Sequence, residues 1–181
     1  MKRISLWLAM AAVPMTTLAE ETAKPSAEDS VHNELRAVRD GMIDAFNKGD
    51  FDRLTQYMRP DAVITWQNAE VTRSREEARK YYERMLVGPD AIVEKLTVDL
   101  KVDELAVIHG GDTAIATGTL GDHYKLRDGR EFTMNSRWSA TVVKEGDRWQ
   151  LACAHCSVNA FDNEILRSVM YKVIIYVGVG G

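Results

Sequence analysis

From Ala91 onward the chain reads as β, and this half constrains the fold most. Four runs rich in Val, Thr, Ile and aromatic residues cover 91–108, 113–124, 132–143 and 149–158. They are separated by Gly110-Gly111-Asp112, Arg127-Asp128-Gly129 and Glu145-Gly146-Asp147. Short glycine turns join strands that lie side by side and run in opposite directions, so these runs predict an antiparallel meander. Three amphipathic segments precede them. In 31–48, Leu35, Val38, Met42, Ile43, Ala45 and Phe46 recur at helical spacing, with Asp29 or Ser30 as N-cap and Gly49 as terminator. Asp50 caps a second short helix carrying Phe51, Leu54, Tyr57 and Met58, and Pro60 stops it. After a short strand at 61–66, Ser74 and Glu77 form a capping box for a third helix, which carries Ala78, Tyr81, Tyr82 and Met85. Helices followed by a meander predict an α+β domain. A curved sheet wrapped on a helix layer leaves a cone-shaped hollow, and pockets form in such mouths.

The ends differ from this body. Residues 1–19 carry Lys2 and Arg3, an apolar stretch, and Thr17-Leu18-Ala19. That is the three-part pattern of a cleaved secretory signal, too short for the roughly 20 residues of a membrane span. Cleavage removes two cations and no acid, so the formal charge falls from -4 to -6. Such an exported, mildly acidic domain has no basic footprint for nucleic acid. Residues 20–30 read as a polar, flexible lead-in, 31–161 as one domain, and 162–181 as a tail. The tail begins as a helix capped by Asp162 and ends in an apolar stretch from Val169 interrupted by Lys172. It is either a shortened membrane anchor or a segment that docks on the domain or a partner.

The hairpin strand 149–158 carries the best candidate chemistry. At period two, Trp149, Leu151, Cys153, His155 and Ser157 share one face. His155 is the candidate general acid/base or polar hook, and otherwise a core histidine satisfied by a neighbour. Ser157 sits roughly 6.5 Å along the same face, too far for direct activation by His155. A two-residue Gly146-Asp147 loop would pair Trp138 with His155, whereas a three-residue loop would bring Arg137 there; both stay open. Cys153 and Cys156 are about 10 Å apart on opposite faces of a strand, beyond the roughly 7 Å reach of a disulfide. They read as two buried free thiols, and the same geometry argues against a metal shared with His155. His123 is a strand histidine near a turn, His109 lies at a turn and His32 near the lead-in. With the four histidines scattered, neither a metal nor a cofactor site is expected.

The order of elements, with AFNKGDFDRLTQYMRPDAVITW, GGDTAIATGT and RWSATVVKEGDRWQLACAHCS, resembles the nuclear transport factor 2-like superfamily and its SnoaL-like branch. The resemblance spans 31–161 and implies a cone-shaped, cystatin-like α+β roll, a pocket between sheet and helices, and frequently a homodimer through the outer sheet face. It places Trp66 and Tyr57 at the pocket. Ketosteroid isomerases share the layout only: their oxyanion-holding tyrosine falls near Ile43 and their general-base aspartate near Trp66, where neither group is present. The expectation is therefore a domain that binds a small, largely apolar molecule, with Trp66 as apolar wall, His155 as polar group, and Tyr57, Arg137, Trp138, Ser157 and His123 as further candidates. Two alternatives stand beside it: a cofactor-independent proton-transfer enzyme using His155, and a structural or dimerisation module of the cell envelope.

Overall fold

The computed structural model describes residues 27–159, Asn163 and 166–168. The expected signal segment 1–19, most of the expected lead-in, Asp162 and the apolar stretch from Val169 lie outside the described residues. Among the described residues no helix is long and apolar enough to cross a membrane.

Three helices come first: α1 (Ala27–Asn47), α2 (Phe51–Gln56) and α3 (Arg75–Leu86). The first starts four residues before the expected Val31, so Asp29 and Ser30 are helical rather than capping. Glu28 and Asp29 instead place acid in the first turn, where the helix dipole favours it. Gly49 ends the helix at φ +70°, as expected. Asp50 caps α2 by accepting from the Arg53 N–H, and Ser74 caps α3 by accepting from Glu77 N–H. The reciprocal arm of the capping box lands one residue early, because the Glu77 carboxylate accepts from Arg73 N–H at 2.7 Å.

The strands are β1 (Met58–Thr65), β2 (Val71–Thr72), β3 (Val93–Val102), β4 (Val107–His109), β5 (Thr113–Leu126), β6 (Glu131–Glu145) and β7 (Arg148–Val158). They form one curved sheet in the order β2-β1-β7-β6-β5-β3, with β4 also on β5. The meander is present, since β3, β5, β6 and β7 pair antiparallel in succession. β1 then adds parallel to β7, which makes the sheet mixed. Two expectations need correction. Pro60 lies inside β1, not at the end of α2; it falls in an irregular stretch between Met58 and Val63, where a missing N–H breaks no ladder bond. The run 91–108 is interrupted at 103–106, where extra residues bulge away from β5 between Val102↔Gly118 and Val107↔Ile115.

A third irregularity decides the site. Along β6 and β7 the pairing runs from Val142↔Leu151 to Thr141↔Cys153, leaving Ala152 as an extra residue. A bulge of one residue exchanges the two faces of everything beyond it. Trp149 and Leu151 therefore face the helices, as do Ala154 and Cys156, while Cys153, His155 and Ser157 are exposed.

The core joins the three helices to the inner sheet face around Phe46, Leu54, Met58, Ile64, Tyr82, Leu96 and Leu151. Polar clasps hold the layers together. The Asn47 side-chain amide donates to Val98 C=O and accepts from Val98 N–H on the edge strand β3. Glu34 on α1 accepts from Lys144 Nζ and Trp149 Nε1. Beyond β7, Asn163 continues the ladder in the same way, accepting from Asn135 N–H and donating to Asn135 C=O.

Candidate functional site

The inner sheet face leaves space because of what its strands carry. Ala116, Ala140 and Ala154 lie opposite one another in register across β5, β6 and β7. One row further on, Gly118, Trp138 and Cys156 are paired. The Trp138 indole donates Nε1–H to Thr119 C=O, so it leans onto β5. A methyl group on Gly118 would sit 2.7 Å from Cζ2 of that ring and overlap Lys101 C=O, so only glycine admits this arrangement. With alanines underneath and the indole drawn aside, a cavity of about 300 Å³ remains between sheet and helices. Its apolar walls include Met42, Phe46, Met85 and Leu100.

Trp66 lines this cavity, stacked on Tyr81 at 4.2 Å and edge-on to Tyr82, with its Nε1–H on Thr72 Oγ1. Trp138 lines it too. The other candidates are elsewhere. His155 and Ser157 project from the exposed sheet face, opposite the cavity, because of the Ala152 bulge. His155 therefore pairs with Ser139 rather than with Trp138 or Arg137, although the loop is the two-residue Gly146-Asp147. Arg137 shares that outer face and pairs bidentately with Asp103, whose carboxyl it holds below the usual range. His123 is also outside, with Nδ1 2.9 Å from Thr133 Oγ1. Tyr57 packs its phenol against Gly41 of α1, filling the place a side chain there would take. Of the named candidates, only Trp66 and Trp138 meet in the cavity.

The thiols are free and face opposite ways, but only Cys156 is shielded; Cys153 is exposed, again through the bulge. Burial pushes the Cys156 thiol up to about 11, so it stays protonated. His32 is buried in α1 at the cavity wall, not part of a loose lead-in, with Nε2 3.9 Å from Glu28.

The sequence reading missed a deeply buried carboxyl group that lines the cavity. Asp122 of β5 is 3% exposed. Gln67, from the loop after β1, donates Nε2–H to Asp122 Oδ2 and reaches Ser136 Oγ at 3.0 Å. Burial raises the Asp122 carboxyl from the ordinary range to about 6, opposed by the Gln67 hydrogen bond and by nearby His123. The same burial lifts the phenols of Tyr81, Tyr82 and Tyr124, which stay neutral donors. A carboxylic acid that titrates near neutrality in an apolar hollow can give or take a proton. A signal existed. The inward parity of β5 reads Ala114, Ala116, Gly118, Leu120, Asp122, Tyr124, Leu126, and Asp122 is the acid in an otherwise apolar series. Gln67, on a loop, carried no such mark.

The family model for the SnoaL-like domain matches residues 35–160. The chain belongs to the SnoaL-like domain family. Solved structures agree on the fold of this SnoaL-like domain. An uncharacterised protein with a cystatin-like fold from Caulobacter vibrioides is 19% identical, covering 76% of this chain and 99% of that one, at a TM-score of 0.60. A nuclear transport factor 2-like superfamily protein from Salmonella enterica is 20% identical over 73% and 93%, at 0.61. A hexachlorocyclohexane dehydrochlorinase is 11% identical over 72% and 86%, also at 0.61. At these identities the likeness concerns the fold. No match to a curated protein was found.

Proposed function

We propose that this SnoaL-like domain binds a small, largely apolar molecule in its hollow and transfers a proton on it, with Asp122 as the acid/base group. The buried Asp122 carboxyl, at about 6 in an apolar cavity, is the observation that carries the reading. Ionised, Asp122 takes a proton from a carbon between a carbonyl and a carbon–carbon double bond; the C–H electron pair forms a new C=C bond and the carbonyl π pair moves to the oxygen. Neutral tyrosine hydroxyls in the wall are donors for that oxygen. Protonated Asp122 then returns the proton at the far carbon of the original double bond as the carbonyl re-forms, which balances as an isomerisation without any co-reactant. This replaces His155 as the acid/base candidate. An envelope structural module needs a hollow filled by side chains, and the open space of about 300 Å³ supports binding instead.

A panel of β,γ-unsaturated ketones tests the reading. Turnover is expected to rise through about pH 6 and to fall 10²–10⁴-fold in Asp122→Asn, the usual contribution of a general base, while His155→Ala leaves it unchanged. Full turnover in Asp122→Asn overturns it. Export and pairing through the outer sheet face belong to the same proposal. A secreted chain beginning at Glu20 and a dimer mass by light scattering support them; a full-length intracellular chain or a monomer overturns each. Membrane fractionation with and without 169–181 decides between anchor and docking tail.

A further inference from the structure

We infer that the ligand is elongated, that it holds an oxygen at the Asp122 end, and that Ala140 sets how long it can be. This rests on the binding reading above and adds the shape and orientation of the occupant.

The cavity is long rather than round. Its wall on α1 runs from His32 to Phe46, about 21 Å at roughly 1.5 Å per residue. On β5 it runs from Ala116 to Tyr124, about 27 Å at roughly 3.4 Å per residue. The two walls run in the same direction as tracks of one channel. Asn47 at the end of α1 holds Val98, Val98 pairs with Asp122, and the stretch Glu104–Ala106 lines the opposite end together with His32. The Asp122, Gln67 and Ser136 cluster thus marks one end, and the bulge after β3, with Leu105 59% exposed, marks the other. Between them the floor is the row Ala116, Ala140, Ala154, with Ala140 in the middle strand. Ala116 is six residues from Asp122 along β5, about 20 Å at the same rise. A compact molecule held at Asp122 never reaches this row, whereas a long one lies over it. The molecule that fits both places carries its oxygen at Asp122 and its apolar tail over Ala140.

Calorimetric titration with 1-alkanols from hexanol to hexadecanol, the last long enough to span that distance, tests this, with 1-adamantanol as the compact counterpart of 1-decanol. The expected result is a dissociation constant that falls about four-fold per methylene along the series, with decanol tighter than adamantanol. Ala140→Phe is expected to leave hexanol within two-fold and to remove the gain for the longer members. Ala116→Leu, in the same row, reads the same property should Ala140→Phe fail to fold. Adamantanol binding as tightly as decanol, or a floor variant that weakens short and long members alike, overturns the inference. No binding by any member overturns the occupancy reading as well. Retained length dependence in Asp122→Asn, with turnover lost, separates the channel from the chemistry.

Discussion

At the scale of single residues, burial decides what each titratable group can do. The folded state raises the Asp122 carboxyl above its unfolded range, so it favours the protonated form. The linked stability is fully present below the unfolded value near pH 4 and is lost as pH climbs to about 6. Asp122→Asn, which keeps an oxygen for Gln67, should therefore remove that pH dependence. It should also stabilise the domain at pH 8 by about 2 kcal/mol, from a shift of roughly two pKa units at 1.36 kcal/mol each, discounted for the altered hydrogen bond. Urea titrations at pH 4 and pH 8 measure it, and an unchanged slope between the two would be inconsistent with a buried carboxylate. Gly118→Ala should destabilise by about 2–3 kcal/mol, because its methyl group overlaps Lys101 C=O and the Trp138 ring. His155→Ala, on the exposed face, should change stability by no more than about 0.5 kcal/mol.

At the scale of elements, the helices and the meander were legible because each carries a long, consistent signal. Leu35 to Phe46 keep helical spacing through several turns, and glycine turns bound each hairpin strand. What failed were places where two patterns are equally apolar. In β7 the parity of Trp149 and Leu151 passes to Ala154 and Cys156, and small residues on both parities conceal the exchange at Ala152. A bulge is set by how strands must curve around a core, which no local window records. His155 and Ser157 were therefore assigned to the wrong face, whereas Trp66 and Trp138, both named as candidates, line the cavity. The end of β7 carries its own prediction. Asn163→Ala removes both bonds to the Asn135 main chain, which costs about 1 kcal/mol. Faster amide exchange at Asn135 than at Thr141 would report the loss, and equal protection at both would speak against it.

At the scale of the whole molecule, a sheet and a helix layer are joined at few polar points. The Glu34 carboxyl is held low chiefly by its hydrogen bond from Lys144, then by Trp149. Its contribution is present above the ordinary glutamate range and is lost as pH falls through the lowered value. Glu34→Gln should flatten the acid limb of the stability profile, measured as melting temperature between pH 3 and pH 5. That clasp sits near the start of α1, and Asn47 sits at its other end. Between them the helix meets the hollow mainly through apolar side chains, with Arg36 and Arg39 at its wall and Gly41 midway. It is a span resting on two abutments with a weak point at mid-length. Such a span can lift while both abutments hold, so a guest larger than the resting void enters without any strand letting go. Amide exchange faster at 38–43 than along 113–126, and slowed by a bound guest, is how that lifting would be seen.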